Sequence, residues 1–319
     1  MKIFITGVAG FIGFSLANSF LNKGHRIYGI DNFYQYYSIK IKKKRLNILK
    51  KYKNFAFNKV DILNYAKLFN TINNKKIDVI IHLAAQTGVR YSIINPNKYL
   101  DVNISGFMNL IKATKNKKIK KFIYASSSSV YGDSKKFPLK ENDNLNPKNI
   151  YGLSKKINEE IANLKQYNFK INFIGLRFFT IFGEWGRPDM FMFKLFKAFF
   201  LKKTFYLNNY GNHTRDFTYI GDAVRIMKKL ISLKNKKNHE IFNICSSKPI
   251  KLFKVVNFLN SLTNKPKIKK VRFQKADVLK THGSNKKIKK FLKFKKFTDI
   301  DKGLFNTFVW YKNYLKNKL

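Results

Sequence analysis

A doubly wound α/β fold, helices wrapped about a parallel sheet, is what this 319-residue sequence predicts, and three observations predict it. The chain opens with a short apolar strand, a glycine-rich turn and a helix-spaced apolar stripe. Apolar runs of strand length then alternate with helical stretches through the first half. Acidic and hydroxyl side chains follow those runs, where a sheet of this kind presents its ligand-binding residues.

Lys2 to Thr6 reads as the first strand and is followed by Gly7-Val8-Ala9-Gly10-Phe11-Ile12-Gly13. Ile12, Leu16 and Phe20, flanked by Ala17 and Leu21, repeat at helical spacing, and Gly24 stands where a helix C-cap belongs. Ile27 to Ile30 is the next strand, ending at Asp31. Strand, glycine loop, helix, strand and acid together make the context that a dinucleotide fingerprint requires. Gly7 permits the tight turn, Gly10 lets backbone approach a pyrophosphate at the helix N-terminus, and Gly13 lets the helix pack closely on the sheet. Asp31 is placed to accept hydrogen bonds from the adenosine ribose. Its charge disfavours a 2′-phosphate, so NAD is expected rather than NADP.

The alternation continues with strands over Phe55 to Val60, Asp78 to Leu83, Lys121 to Ala125 and Ile171 to Leu176, and with helices over Tyr65 to Ile72, Lys98 to Lys115 and Tyr151 to Tyr167. Repeated βα units imply right-handed crossovers and a Rossmann-type sheet. Asp31, Ala84, Ser127, Tyr151 and Arg177 all follow or lie near strand ends and are expected to face one crevice. Beyond about residue 178 the alternation weakens, which suggests a dinucleotide-binding domain over 1–178 and a smaller C-terminal substrate-binding domain over 179–319, with some segments returning to the first. Phe191 to Phe200 reads as a helix whose phenylalanines serve a core or a subunit contact.

Composition narrows the function classes. A hydrophobic content of 45% excludes a disordered chain. One cysteine, Cys245, excludes internal disulfides and a cysteine zinc cage, and the histidines lack metal-ligand spacing and read as surface residues. No apolar run reaches a membrane span and no cleavable signal pattern opens the chain, so a soluble cytoplasmic protein is expected. The net charge of +48 invites a nucleic-acid reading, but only eight of the 65 basic residues are arginine and the lysines are spread along the chain. Runs such as Lys42 to Lys44 and Lys286 to Lys290 therefore read as solvated faces. Where lysine is the default cation, an arginine marks a place that needs a planar fork. Arg90, Arg177, Arg187 and Arg215 fall in distinctive strings, whereas Arg26, Arg45, Arg225 and Arg272 carry less context.

Tyr151 and Lys155 stand four apart, on one face of a helix, downstream of the run Ser126 to Ser129. A nearby cation favours the phenolate, so the pair reads as a general base. Around it, Thr6 to Gly13, His82 to Ser92, Ala125 to Gly132, Tyr151 to Lys155, Leu176 to Thr180, Trp185 to Met190 and Arg215 to Ile220 make the chain resemble the extended short-chain dehydrogenase/reductase family and, within it, the UDP-glucuronate 4-epimerases. The strings around Arg90 and Arg187 resemble those of epimerases acting on uronic acids.

The resemblance implies Ser127, Tyr151 and Lys155 as catalytic residues, with Ser128 the alternative serine. It implies NAD held by Gly7, Gly10, Phe11, Ile12, Gly13, Asp31, Asn32, Asp61, Ile62, Leu83, Ala84, Ala85 and Asn103, together with Tyr151 and Lys155. A UDP-sugar would meet Arg90, Ser127, Ser128, Thr180, Arg187, Arg215 and Asp277, and no metal is implied. Lys275-Ala276 and Gly283-Ser284 depart from the family pattern around Asp277. The implied reaction is epimerisation at carbon 4 of UDP-glucuronate through a 4-keto sugar, in polysaccharide biosynthesis, by a homodimer joined through the helices over 98–115 and 151–167. Alternatives are a UDP-glucose/UDP-galactose 4-epimerase and a decarboxylase or dehydratase; the last two usually carry an acid beside the catalytic hydroxyl, where this chain has Ser128 and Ser129. A non-catalytic RNA-binding protein is the distant alternative, with no need of Tyr151, Lys155 or Asp31.

Overall fold

The computed structural model describes residues 1–115, 117–164, 171–233, 238–262, 267–272 and 278–316. Its strands are β1 Lys2–Thr6, β2 Arg26–Asp31, β3 Phe55–Lys59, β4 Val79–His82, β5 Lys121–Ser127, β6 Asn172–Phe178, β7 Thr180–Phe182, β8 Phe205–Asn208, β9 Thr214–Tyr219, β10 His239–Ile244, β11 Pro249–Lys251 and β12 Ile268–Val271. Seven of them form one sheet in the order β10-β6-β5-β4-β1-β2-β3, with every pairing parallel. This is the Rossmann-type doubly wound sheet. The strand order reverses at β1, so the carboxyl ends of β1 and β4 bound the crevice where such sheets take ligands. β10, from the second half of the chain, returns to pair with β6.

Side chains alternate along β1, and the two faces of the sheet carry separate cores. Ile3 and Ile5 pack with Leu16, Phe20 and Ile226 on one side, and Phe4 packs with Phe107, Leu110 and Phe122 on the other. A three-stranded sheet, β11-β9-β7, and the pair β12-β8 belong to the second half. There the helix Phe191–Phe200 buries Phe193, Phe196 and Phe199 against Phe308 and Tyr311 of the helix Ile300–Lys316. Its phenylalanines are core residues.

Two helices differ from expectation. The stretch expected as one helix over 98–115 consists of Pro96–Tyr99, a wider π-helical turn over Leu100–Ser105, and Gly106–Thr114. A helix over Ile39–Lys50 has no counterpart in the sequence reading, because cationic Lys42 and Arg45 occupy its buried stripe beside Ile41, Leu46 and Leu49. Among the described residues no helix is long and apolar enough to cross a membrane.

Candidate active site

A cavity of about 1020 Å³ opens over the carboxyl ends of the central strands, from Gly7 and Asp31 at one end to Arg187 and Arg215 at the other. The helix Phe11–Leu21 starts there, capped by the extended backbone of Gly10 and not by a side chain. Its first N–H groups are thus available to an anion. A Cβ on Gly13 would come within 2.2 Å of the Gly7 carbonyl, and one on Gly7 within 2.8 Å of the Ala84 nitrogen, so side chains at either position would fill the cradle. Asp31 closes this end: its carboxylate accepts from Ala9 N at 3.2 Å and Phe33 N at 2.8 Å. Phe11, Ile12, Asn32, Ile62, Leu83, Ala84 and Ala85 also line the cavity. The open helix end, the glycine cradle and the acid at the β2 terminus fit a dinucleotide.

Asp61 and Asn103 stand behind the cavity wall. Asp61 accepts from the side-chain amide of Asn32 at 2.8 Å, and Asn103 binds Gln86 through both backbone groups and donates to Ser154 at 2.9 Å. They brace residues that line the cavity. Lys42 is where the sequence reading errs most plainly, since it is buried, lines the cavity and lies 3.6 Å from Asp31. Its solvated-face assignment is corrected by the helix Ile39–Lys50, which turns it inward.

Thr6 braces the loop after β4. Its hydroxyl oxygen accepts from Leu83 N and Ala84 N, at 3.2 and 3.1 Å, and bonds His82 Nδ1 at 2.8 Å. Burial, with the charge of Lys155 adding, lowers His82 to about 3 and keeps it neutral. The expectation of surface histidines fails here and at His213, which is buried and lines the cavity. Among the described residues no group of three histidine, cysteine or acidic side chains could hold a metal ion.

The catalytic candidates come from β5 and the helix Ile150–Asn163, whose N-cap Asn149 accepts from Gly152 N at 2.9 Å. β5 runs two residues further than expected and includes Ser126 and Ser127. Consecutive strand residues point to opposite faces, so the two serines take different partners. Ser126 donates to Glu159 at 2.5 Å, while Ser127, the last strand residue, lies beside the Tyr151 phenol. Ser128 and Ser129 begin a 3-10 turn, and Ser127 Oγ accepts from Ser129 N.

Tyr151, Lys155 and Glu159 follow one another at four-residue spacing along this helix. Burial raises the Tyr151 phenol, opposed by the Ser127 hydroxyl and the charge of Arg187. Burial lowers Lys155 to about 8, opposed by Glu159. Beside the Lys155 cation expected from sequence, Ser127 and Arg187 also favour the phenolate.

Arg177 does not face the crevice. It pairs in register with Ser126 on β5 and binds Glu159 through Nε at 2.9 Å and Nη2 at 2.7 Å, while its neighbour Phe178 lines the cavity. Strand alternation separates the two. At the sugar end, Thr180 and Arg187 line the cavity, and Arg187 lies 5.7 Å from the Tyr36 ring centroid. Arg187 also holds Asp189 in a bidentate pair, which keeps the guanidinium charged although burial works against it. Arg90 lies exposed at the cavity, and Arg215 donates to the carbonyls of Thr214 and Leu279, each at 3.0 Å. Asp277 lies outside the described residues.

Asp189, Tyr36 and Lys42 escaped the sequence reading. The signal for Asp189 was present, an acid two residues beyond Arg187 in the same string.

Comparison with known proteins gives a consistent picture. The family model described as NAD dependent epimerase/dehydratase family matches residues 3–245. Protein CapI of Staphylococcus aureus is 38% identical over 335 residues, covering 99% of this chain and 100% of its own length. A UDP-glucuronate 4-epimerase of Thermodesulfobacterium geofontis is 37% identical over 313 residues, covering 97% and 95%. The crystal structure of UDP-glucuronic acid 4-epimerase from Bacillus cereus, in complex with UDP-glucuronic acid and NAD, matches with a TM-score of 0.90 at 30% identity, covering 98% of this chain and 100% of that one. With its glycine cradle, Asp31 and the Ser127–Tyr151–Lys155 group gathered at one parallel sheet and the helices on it, the chain belongs to the NAD-dependent epimerase/dehydratase family, within the extended short-chain dehydrogenases/reductases.

Proposed function

We propose that this protein inverts carbon 4 of UDP-glucuronate, giving UDP-galacturonate through a transient 4-keto sugar. The observation that carries the reading is the neighbouring pair Ser127 and Tyr151 in one cavity with Arg187, with the dinucleotide cradle at the other end. Relatives named for that activity support it. The cradle from Gly7 to Gly13, Asp31 with Lys42 beside it, and Leu83 to Ala85 would hold NAD. Bound there, it would supply a reversible hydride acceptor for carbon 4.

The protein's own part is proton handling and orientation. Tyr151, as phenolate, accepts the proton of the 4-hydroxyl and later returns it to the same oxygen, while Ser127 orients that oxygen. Lys155 supplies a cation beside the phenolate. The keto sugar presents its opposite face when the hydride comes back, so the configuration at carbon 4 is inverted. A 4-keto uronic acid is a β-keto acid and loses carbon dioxide when its carboxylate bond aligns with the carbonyl π system. Thr180 and the fork of Arg187 hold the carboxylate away from that alignment.

A neutral-hexose epimerase has one observation in its favour: Arg187 already commits its Nε–Nη2 edge to Asp189. Incubating purified protein with UDP-glucuronate and, separately, with UDP-glucose and identifying products by NMR decides between them. UDP-galacturonate as the dominant product is expected; conversion of UDP-glucose alone overturns the proposal.

The same proposal includes a homodimer through the helices of 96–114 and 150–163, where Leu100 and Leu153 are exposed. It includes a cytoplasmic setting, which suits the buried free thiol of Cys245, and a role in polysaccharide biosynthesis. Light scattering reads the dimer directly, and a monomer removes that part.

A further inference from the structure

Arg45 is a fully buried cation whose recorded acceptors are all neutral oxygens. Nη1 donates to the Ala9 carbonyl at 3.0 Å and to the Tyr37 hydroxyl at 3.1 Å. Nη2 donates to the carbonyls of Trp185 and Gly186 at 2.5 and 3.1 Å. One branch of the fork thus grips the glycine loop and the other grips the turn that immediately precedes Arg187. Ala9 is also held from its other side, since its N–H donates to Asp31. The chain from Asp31 through Ala9 and Arg45 to residues 185 and 186 therefore joins the two ends of the cavity; Arg45 does not line the cavity, whereas its acceptor Tyr37 does.

We propose that Arg45 is a positioning residue for the sugar-carboxylate clamp, fixing the turn that carries Arg187 to the cofactor loop. The inference rests on the uronate reading above. The chemistry requires arginine in particular. Three backbone carbonyls in two segments must be satisfied at once, and a planar guanidinium reaches both from one buried stem. A lysine has a single nitrogen and reaches one segment. An apolar replacement leaves buried carbonyls unpaired. A buried charge matched only by dipoles is costly in this position, and a chain whose cations are otherwise overwhelmingly lysine nonetheless places one of its eight arginines there. Trp185 is the other anchor of the turn, with its ring 5.3 Å from Phe14 and 5.2 Å from Trp310. That contact seats the turn but leaves the direction of its carbonyls to Arg45.

The test is a double-mutant cycle on holoenzyme carrying Tyr151→Phe, so that binding is read without turnover. Affinities for UDP-glucuronate and UDP-glucose are measured by calorimetry for Arg45 and Arg45→Lys, each with Arg187 and with Arg187→Ala. Arg45→Lys is expected to lower the preference for the uronate roughly tenfold while leaving UDP-glucose within about twofold. With Arg187→Ala in place it should change the preference no further. A preserved preference, an equal loss for both sugars, or additivity of the two substitutions overturns the role. If Arg45→Lys does not melt cooperatively, Tyr37→Phe replaces it in the cycle. That change withdraws one acceptor and is expected to lower the preference roughly twofold to threefold, again only when Arg187 is present; an unchanged preference overturns the role. A parent protein that shows no uronate preference at all defeats the functional reading itself, a result distinct from failure of the Arg45 cycle.

Discussion

Arg187 holds Asp189 through both carboxylate oxygens, Nε to Oδ1 at 3.0 Å and Nη2 to Oδ2 at 2.5 Å, in the wall of the cavity that would take the sugar. The planar fork proposed to meet a uronate is therefore already matched by a carboxylate two residues along the chain. An incoming sugar carboxylate approaches a pair whose charges nearly cancel, and it must share or displace Asp189.

Asp189→Asn should therefore sharpen preference for the uronate. Removing the competing charge leaves Arg187 with an uncompensated cation a few ångströms from the substrate carboxylate. The pair is about one-fifth exposed, which screens part of the effect. Affinity for UDP-glucuronate relative to UDP-glucose is expected to rise roughly fivefold. Weaker uronate binding in calorimetry would show that Asp189 aims Arg187 and does not compete for it.

Tyr151→Phe removes the hydroxyl that meets Ser127 and leaves the helix Ile150–Asn163 intact, because its N-cap is Asn149. Turnover is expected to fall by about a thousandfold or more, the range for loss of a positioned base, with NAD retention and melting temperature unchanged. Because burial raises this phenol, the rate of the unmodified enzyme should climb with pH as the phenolate population grows. A rate that falls steadily from pH 6 to 8 contradicts this assignment of the base.

Glu159 is a structural counterpart to that chemistry. It is buried with Arg177, receives Ser126, and lies one helical turn beyond Lys155. Glu159→Ala strands a buried guanidinium, a change that costs on the order of 3–5 kcal/mol. Denaturant unfolding should show that loss. A destabilisation under about 1 kcal/mol would mean that water or another acceptor reaches Arg177.

The difference between Ser127 and Arg177 shows what sequence could and could not tell. Both follow a strand-like run, and the sequence reading sent both to the crevice. A parallel sheet hides its alternation, because strands covered on both faces are apolar throughout and the period of two leaves little trace. Only the register Ser126↔Arg177 and Ser127↔Phe178, with Arg177 bound to Glu159, reveals that Phe178 and not Arg177 meets the cavity. The sheet itself was legible, since glycine loop, acid and apolar runs come from local sequence. Lys42 and Arg45 were not. They interrupt the apolar stripe of their helix, and a buried cation among lysines carries no local signature; its partners Asp31, Ala9 and Trp185 are distant in sequence.

Lys155 yields a prediction in which function and stability oppose each other. Burial lowers its ammonium to about 8 from an ordinary value of 10.5, although Glu159 pulls the other way. Below about pH 8 the folded protein carries a buried charge that the unfolded chain carries freely in water. Between about 8 and 10.5 the folded protein has released a proton that the unfolded chain still binds, so this group makes stability rise with pH across that window. The penalty at neutral pH is on the order of 3 kcal/mol. Lys155→Met removes it while keeping an unbranched stem in the same space. At pH 7 the variant should unfold at higher denaturant concentration than its parent and be inactive, when the two are compared at equal cofactor loading. Its advantage should shrink as pH rises from 8 toward 10, because the parent sheds its buried charge over that range. A variant no more stable at pH 7, or one whose advantage holds constant with pH, would mean that Lys155 stays fully charged and is compensated by Glu159.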